Sequence, residues 1–206
     1  MKITLDQVSK RFQQHWIFKN ISYSFVQGNG YALLGANGSG KSTLLRVIAG
    51  MQSASKGKVL FTDDNDKAVT TNQIFSKIGF SAPGQEIVEE LTMREFLDFH
   101  FSFKRPLNNL RIDDIINLTG LQSAADKPIG DYSSGMKQRV KLAQAIFSDT
   151  PILMLDEPCT NLDQAGVEQY REWIETYAAN RLILVASNDV REYFFCREKI
   201  TLENFK

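Results

Sequence analysis

One run of eight residues, Gly35-Ala36-Asn37-Gly38-Ser39-Gly40-Lys41-Ser42, constrains this chain more than any other segment, because it has the complete form G-x-x-x-x-G-K-[ST]. The apolar Tyr31-Ala32-Leu33-Leu34 before it reads as a buried strand. Leu44, Leu45, Val47 and Ile48 after it give a helix an apolar flank, and Gly50 is placed to end that helix. Between strand and helix, the glycines let the backbone close into a nest whose N–H groups point at phosphate oxygens. Lys41 reaches the outer phosphates, and Ser42 offers a hydroxyl to Mg2+. The positive end of the helix faces the same charges. The expected ligand is a nucleoside triphosphate with Mg2+, held by Gly35, Asn37, Gly38, Ser39, Gly40, Lys41, Ser42 and Thr43.

The rest of the chain sets the frame around that loop. With 206 residues the length suits one domain, expected over 1–206. Lys+Arg and Asp+Glu are equal at 24 each, which gives no overall electrostatic reason to expect direct nucleic-acid binding. No apolar run approaches the roughly 20 residues that cross a bilayer, and Met1-Lys2-Ile3-Thr4-Leu5 lacks the apolar core of a signal peptide. A cytoplasmic location is expected. Cys159 and Cys196 show no metal spacing and read as structural or incidental. Asp63-Asp64-Asn65-Asp66 lacks the glycine and distal glutamate of a calcium loop and reads as a solvated turn.

Ile3, Leu5 and Val8, then Ile21, Tyr23 and Phe25, alternate as in an antiparallel sheet. Val59-Leu60-Phe61 and Ile78-Gly79-Phe80 read as short strands with polar loop between them. Thr92-Met93-Arg94-Glu95 has capping-box form, with Leu91 and Phe96 as a hydrophobic staple, and the cluster Phe96, Phe99, Phe101 and Phe103 reads as packing within a helical layer. Helical sequence recurs at 112–116 and 134–147. Ile152-Leu153-Met154-Leu155 and Leu182-Ile183-Leu184-Val185 are unbroken apolar runs of parallel strands covered on both faces. The fold class expected is α/β: a phosphate-loop core with a mostly parallel sheet, an N-terminal antiparallel β-subdomain and a helical subdomain inserted at approximately 84–148.

In open parallel sheets the ligand lies beyond the carboxyl ends of the strands, and Asp156-Glu157 follows one such strand directly. One carboxylate can hold Mg2+; its neighbour, on the other side of the chain, can orient the water that attacks a terminal phosphate. Tyr132-Ser133-Ser134-Gly135-Met136 opens a helix and, taken alone, is a well-capped helix start.

Together these segments resemble, over essentially the whole chain, the nucleotide-binding domain of ATP-binding-cassette (ABC) transporters. The loop, the Ser133-Ser134-Gly135 signature-like segment, the Leu155-Asp156-Glu157-Pro158 corner and Thr160-Asn161-Leu162-Asp163 occur in that family's order. The resemblance implies ATP and Mg2+ as cofactors and two nucleotide-binding subunits meeting head to tail, with Ser133 and Gly135 of one capping the nucleotide on the other. It implies Phe12 stacking on adenine, with ordinary core packing as the alternative, and Asp156 with Ser42 at the metal. It also implies a membrane-spanning subunit on another chain, which would place this one peripherally on the inner face of the membrane.

Three positions depart from the family pattern. Asn188 in Ala186-Ser187-Asn188-Asp189 stands where a histidine is usual. An amide donates a hydrogen bond without becoming cationic, so slow hydrolysis is expected, with Glu157 and Asn188 as the catalytic pair. Pro83 falls at the usual glutamine position of the loop that meets the membrane partner, leaving Gln85 as a displaced alternative. Ser134 and Met136 replace the usual signature glycine and glutamine. The expected function is the ATP-hydrolysing subunit of a transporter. The alternatives are a soluble non-transport ATPase and a weakly active regulatory cassette in a heterodimer.

Overall fold

Two sheets divide the strands. The computed structural model describes residues 1–206, with the side chain of Thr71 left aside. β1 (Lys2–Phe12), β2 (His15–Val26) and β4 (Lys56–Thr62) form an antiparallel sheet in the order β2-β1-β4. β3 (Gly30–Leu34), β5 (Ile78–Ser81), β6 (Ile152–Asp156), β7 (Leu182–Ala186) and β8 (Glu198–Thr201) form a parallel sheet in the order β5-β6-β7-β3-β8. Helix α1 (Lys41–Ile48) follows β3; α2 (Thr71–Ile74) precedes β5; α3 (Met93–Phe103), α4 (Ile112–Thr119) and α5 (Ser134–Ile146) lie between β5 and β6; α6 (Gln164–Tyr177) joins β6 to β7.

The unbroken apolar strands are explained by their two covered faces. Leu153, Leu155, Ile183 and Val185 pack with the buried residues of α3 to α6. Their neighbours Ile152, Met154, Leu182 and Leu184 pack on the other face with Leu44, Leu45 and Ile48 of α1 and with Ile3, Leu5 and Phe25 of the antiparallel sheet. Side chains alternate across a strand, so a strand buried on both faces needs an apolar residue at every position. Each such leucine or isoleucine contributes about 2 kcal/mol by burial.

The capping box is formed as the sequence predicts: Thr92 accepts from the Glu95 N–H at 3.2 Å, and the Glu95 carboxylate accepts from the Thr92 N–H at 2.9 Å. Two expectations are corrected. The segment between β4 and β5, read as loop, contains α2 and a 3-10 turn; Thr70 and Gln73 supply a capping box there, and the four-residue helix is too short to show periodicity. The phenylalanine cluster does not pack as one layer, since Phe96 is buried while Phe99 and Phe103 are 59% and 63% exposed. They stack edge to face with each other at 5.1 Å on the outer face of α3. The aspartate run at 63–66 is a turn, with the Asp63 carboxylate accepting from the Asn65 and Lys67 N–H groups at 2.9 Å.

Candidate nucleotide site

The sheet register sets the site. Leu33 of β3, Asp156 of β6 and Ile200 of β8 are aligned through Ala186 of β7 and through β3 itself. The segments leaving these four strands, beginning near Gly35, Glu157, Ser187 and Leu202, therefore emerge at one level on one edge of the sheet.

Between β3 and α1 the loop turns on glycines. Gly35 has φ 148° and Gly40, which caps α1, has φ 107°; a Cβ on Gly40 would collide with Ile17 of β2. Only glycine takes this path without strain. Lys41 is buried, and its ammonium donates to the Gly35 carbonyl at 2.6 Å and the Ala36 carbonyl at 3.3 Å. Ser42 lies one residue into α1, and its hydroxyl donates to Asp156 Oδ1 at 2.9 Å across 114 residues of sequence. Asn37, Gly38 and Ser39 complete the loop and Thr43 continues α1.

Asp156 ends β6 almost fully buried. Burial raises its carboxyl above the ordinary aspartate range, and the neighbouring Glu157 charge adds to this, against the Ser42 hydrogen bond and the Arg46 and Lys41 charges. A carboxylate pressed toward protonation gains most from a cation. Two hard oxygen donors, Ser42 Oγ and Asp156 Oδ1, meet here, which fits Mg2+. Glu157 is exposed and has φ 43°, while its N–H reaches the Ala186 carbonyl at 2.9 Å. The ladder thus runs one residue past β6 as the chain turns, and left-handed backbone at a non-glycine residue costs about 1 kcal/mol or more. Asn188, two residues beyond β7, accepts the Gly35 N–H on Oδ1 at 3.3 Å.

The sequence-derived residues thus fall into two groups. The loop, Asp156, Glu157 and Asn188 converge at the edge of the parallel sheet. Ser133 and Gly135 sit elsewhere, at the start of α5, where the Ser133 hydroxyl accepts from the Met136 N–H at 3.3 Å. A Cβ on Gly135 would lie 2.9 Å from the Asn161 carbonyl, and no hydrogen bond joins this pair to the phosphate loop among the described residues. Phe12, at the end of β1, is 45% exposed with Lys10 Nζ 5.0 Å from its ring centre; the core-packing alternative is therefore excluded. Gln85 lines a groove of about 400 Å³ with Arg46, Met51, Phe75, His100 and Gln144. Cys159 and Cys196 are buried free thiols, each pushed up to about 12 by burial.

Sequence reading missed two carboxylates. Glu203 accepts the Ala36 N–H at 2.7 Å. Glu192, buried behind the Asp156-Glu157 corner, accepts the Cys159 N–H at 2.7 Å, and burial raises its carboxyl above the ordinary range. Neither belongs to a local motif, and β8, which delivers Glu203, is the short and charged Glu-Lys-Ile-Thr.

The fold and this loop define a phosphate-loop α/β protein. Residues 18–160, more than half of the chain, match the family described as ABC transporter, and the chain belongs to that family. It is 32% identical to the ABC transporter ATP-binding protein YdbJ of Bacillus subtilis, over 91% of this chain and 61% of that protein. It is also 32% identical to the cytochrome c biogenesis ATP-binding export protein CcmA of Rhizobium etli, over 91% of this chain and 87% of that protein. The chain spans less than two thirds of the length of the first curated relatives it matches. A solved bacterial ABC transporter cassette, described as dimeric, has the same fold with a TM-score of 0.81 at 23% identity, covering 97% of this chain and 94% of that one.

Proposed function

We propose that this chain is the ATP-binding and ATP-hydrolysing subunit of an ABC transporter, acting as one domain over 1–206 and driving membrane subunits carried on another chain. The observation that carries the reading is the Ser42 to Asp156 hydrogen bond, which joins the phosphate loop to the acidic strand end at 2.9 Å. Loop amides, Lys41 and the start of α1 hold the triphosphate; Asn37, Ser39 and Thr43 belong to the same cradle, and Phe12 stacks on adenine. Ser42 and Asp156 would hold Mg2+, which when bound would supply positive charge to the triphosphate. Glu157, facing solvent beside them, orients the attacking water and accepts its proton. Asn188 offers its amide toward the terminal phosphate as a neutral donor, so turnover is slow.

A second copy or a related cassette completes the site by presenting Ser133 and Gly135, which make no hydrogen bond to the loop of their own chain among the described residues. The cassette described as dimeric supports pairing as such. Binding of nucleotide closes the pair and hydrolysis reopens it. No helix among the described residues is long and apolar enough to cross a membrane, in keeping with spanning segments on a partner. The docking surface for that partner is the groove around Gln85 and the exposed Met51, Phe75, Phe99 and Phe103. Asn188 in place of a cation also supports a second reading, a weakly active cassette paired with a more active one.

Calorimetry with Mg-ATP tests the reading. Binding is expected for the wild type, with a loss of about 100-fold or more in Lys41→Ala, where a charged hydrogen-bond donor to phosphate is removed. No uptake of Mg-ATP by the wild type would end the proposal.

A further inference from the structure

The phosphate loop is gripped from behind by the segment that follows β8. β8 lies parallel to β3 with Thr201 opposite Leu34, so the chains leaving the two strands run side by side. Leu202 is fully buried and anchors a 3-10 turn, Leu202–Phe205. From this turn the Glu203 carboxylate accepts the Ala36 N–H at 2.7 Å. Lys206 donates to the Ser39 carbonyl at 2.9 Å and to the Ile17 carbonyl of β2 at 3.1 Å, tying the loop to the antiparallel sheet as well.

The Gly35–Ala36 peptide is thereby held on both edges. Its N–H donates to Glu203, and its carbonyl accepts from the Lys41 ammonium at 2.6 Å. In a planar trans peptide these two groups point in opposite directions, so fixing one aims the other. The approach is close: a Cβ on Gly35 would sit 2.9 Å from Glu203 Oε2 and 2.6 Å from Ser39 Oγ.

We propose that Glu203 is a positioning residue for the phosphate loop, setting the Gly35–Ala36 peptide plane from the face away from the nucleotide and so fixing where Lys41 is seated. The inference rests on the reading that this loop takes Mg-ATP. Two effects of the carboxylate oppose each other: its hydrogen bond orders the loop, while its negative charge repels an incoming triphosphate. The carboxyl is held below the ordinary glutamate range, first by the Ala36 N–H and more weakly by the Lys206 and Lys41 charges, so it stays ionised at neutral pH. Lys206, bonded to the next turn of the loop, offsets part of that charge.

Three variants separate the effects. Glu203→Gln keeps an acceptor of the same reach without the charge. Glu203→Ala removes both, and Glu203→Asp keeps the charge but falls one methylene short. Calorimetry with Mg-ATP is expected to give about tenfold weaker binding for the alanine and aspartate variants, with the glutamine variant equal to or tighter than wild type. Amide hydrogen exchange over residues 35–42 of the nucleotide-free protein is expected to accelerate in the alanine and aspartate variants and to stay near wild type in the glutamine variant. Wild-type affinity and exchange in Glu203→Ala, or alanine and glutamine variants that both bind more tightly, would overturn the proposal. Should alanine fail to fold, the aspartate and glutamine pair decides on the same criteria. Loss of binding in Lys41→Ala alongside an unaffected Glu203→Ala would sink this inference alone, whereas a wild type that takes up no Mg-ATP would sink the functional reading, leaving hydrogen exchange to judge the hold on the loop.

Discussion

Replacing Asn188 by histidine should raise the rate of ATP hydrolysis. Asn188 meets the loop through its oxygen, which accepts the Gly35 N–H at 3.3 Å, a long and therefore weak contact. Its NH2 group, on the other branch of the same amide carbon, is the part available to a phosphate oxygen. A neutral donor of this kind contributes about 0.5–1.5 kcal/mol, against about 1.5–3 kcal/mol for a charged one. An imidazolium in its place therefore gains about 1–1.5 kcal/mol at the developing negative charge. About 0.5 kcal/mol of this is lost with the weak Gly35 contact, which leaves a net increase of about two- to fivefold in kcat. Asn188→Ala removes the donor altogether and should lower kcat by about tenfold. The assay is steady-state phosphate release by the assembled complex at saturating Mg-ATP, at pH 6.5 and pH 8. Because an unperturbed histidine titrates near 6.5, the gain should be larger at the lower pH. A histidine variant no faster than wild type, or an alanine variant as fast as wild type, would refute a rate-limiting role for this position.

Glu157→Gln keeps a polar side chain at the strand-end corner but removes the base. Hydrolysis should fall by about 100-fold or more while Mg-ATP binding stays within a factor of about three, and sedimentation with ATP should show a longer-lived dimer; unimpaired turnover would remove Glu157 from the mechanism. His100 supplies a pH prediction. Burial, with the Lys104 charge behind it, holds its imidazole down at about 4, and its Nε2 lies 2.9 Å from the Ser148 hydroxyl. The unfolded chain, titrating near 6.5, binds this proton first, so stability is complete above that value and declines as pH falls toward 4, by about 2 kcal/mol at pH 5. Urea unfolding at pH 7.5 and pH 5 should show this loss, and His100→Gln should shrink it; an unchanged difference would rule out His100 as the source. Phe75 is 65% exposed, with Lys104 Nζ 4.4 Å from its ring centre. Phe75→Ser should leave the melting temperature within a few degrees but reduce co-purification of a membrane subunit from detergent extracts, and full recovery would place the docking surface elsewhere.

The phosphate loop, the two central strands and the α3 cap were legible because each is a local pattern whose cause lies within a few residues. Glycines at fixed offsets, unbroken apolar runs and a Thr-x-x-Glu box carry their own physics. The pairing of Ser42 with Asp156 was legible for a different reason: Asp156 ends one parallel strand, Ser42 opens the helix that follows the loop leaving another, and sheet topology brings such carboxyl ends together. What could not be read were contacts that depend on the order of strands in space. Nothing near Glu203 in sequence marks it as a partner of Ala36, 167 residues away; the link exists only because β8 pairs with β3 on the side opposite β7. The exposure of Phe99 and Phe103 was hidden as well, since an aromatic at helical spacing looks the same whether it meets a core or solvent. These failures share a cause and a direction. Residues that serve the chain's own fold leave local signatures, whereas residues that brace the loop from a distant strand, or stand exposed on the outer face of a helix, are recognisable only once the sheet order and the solvent boundary are known.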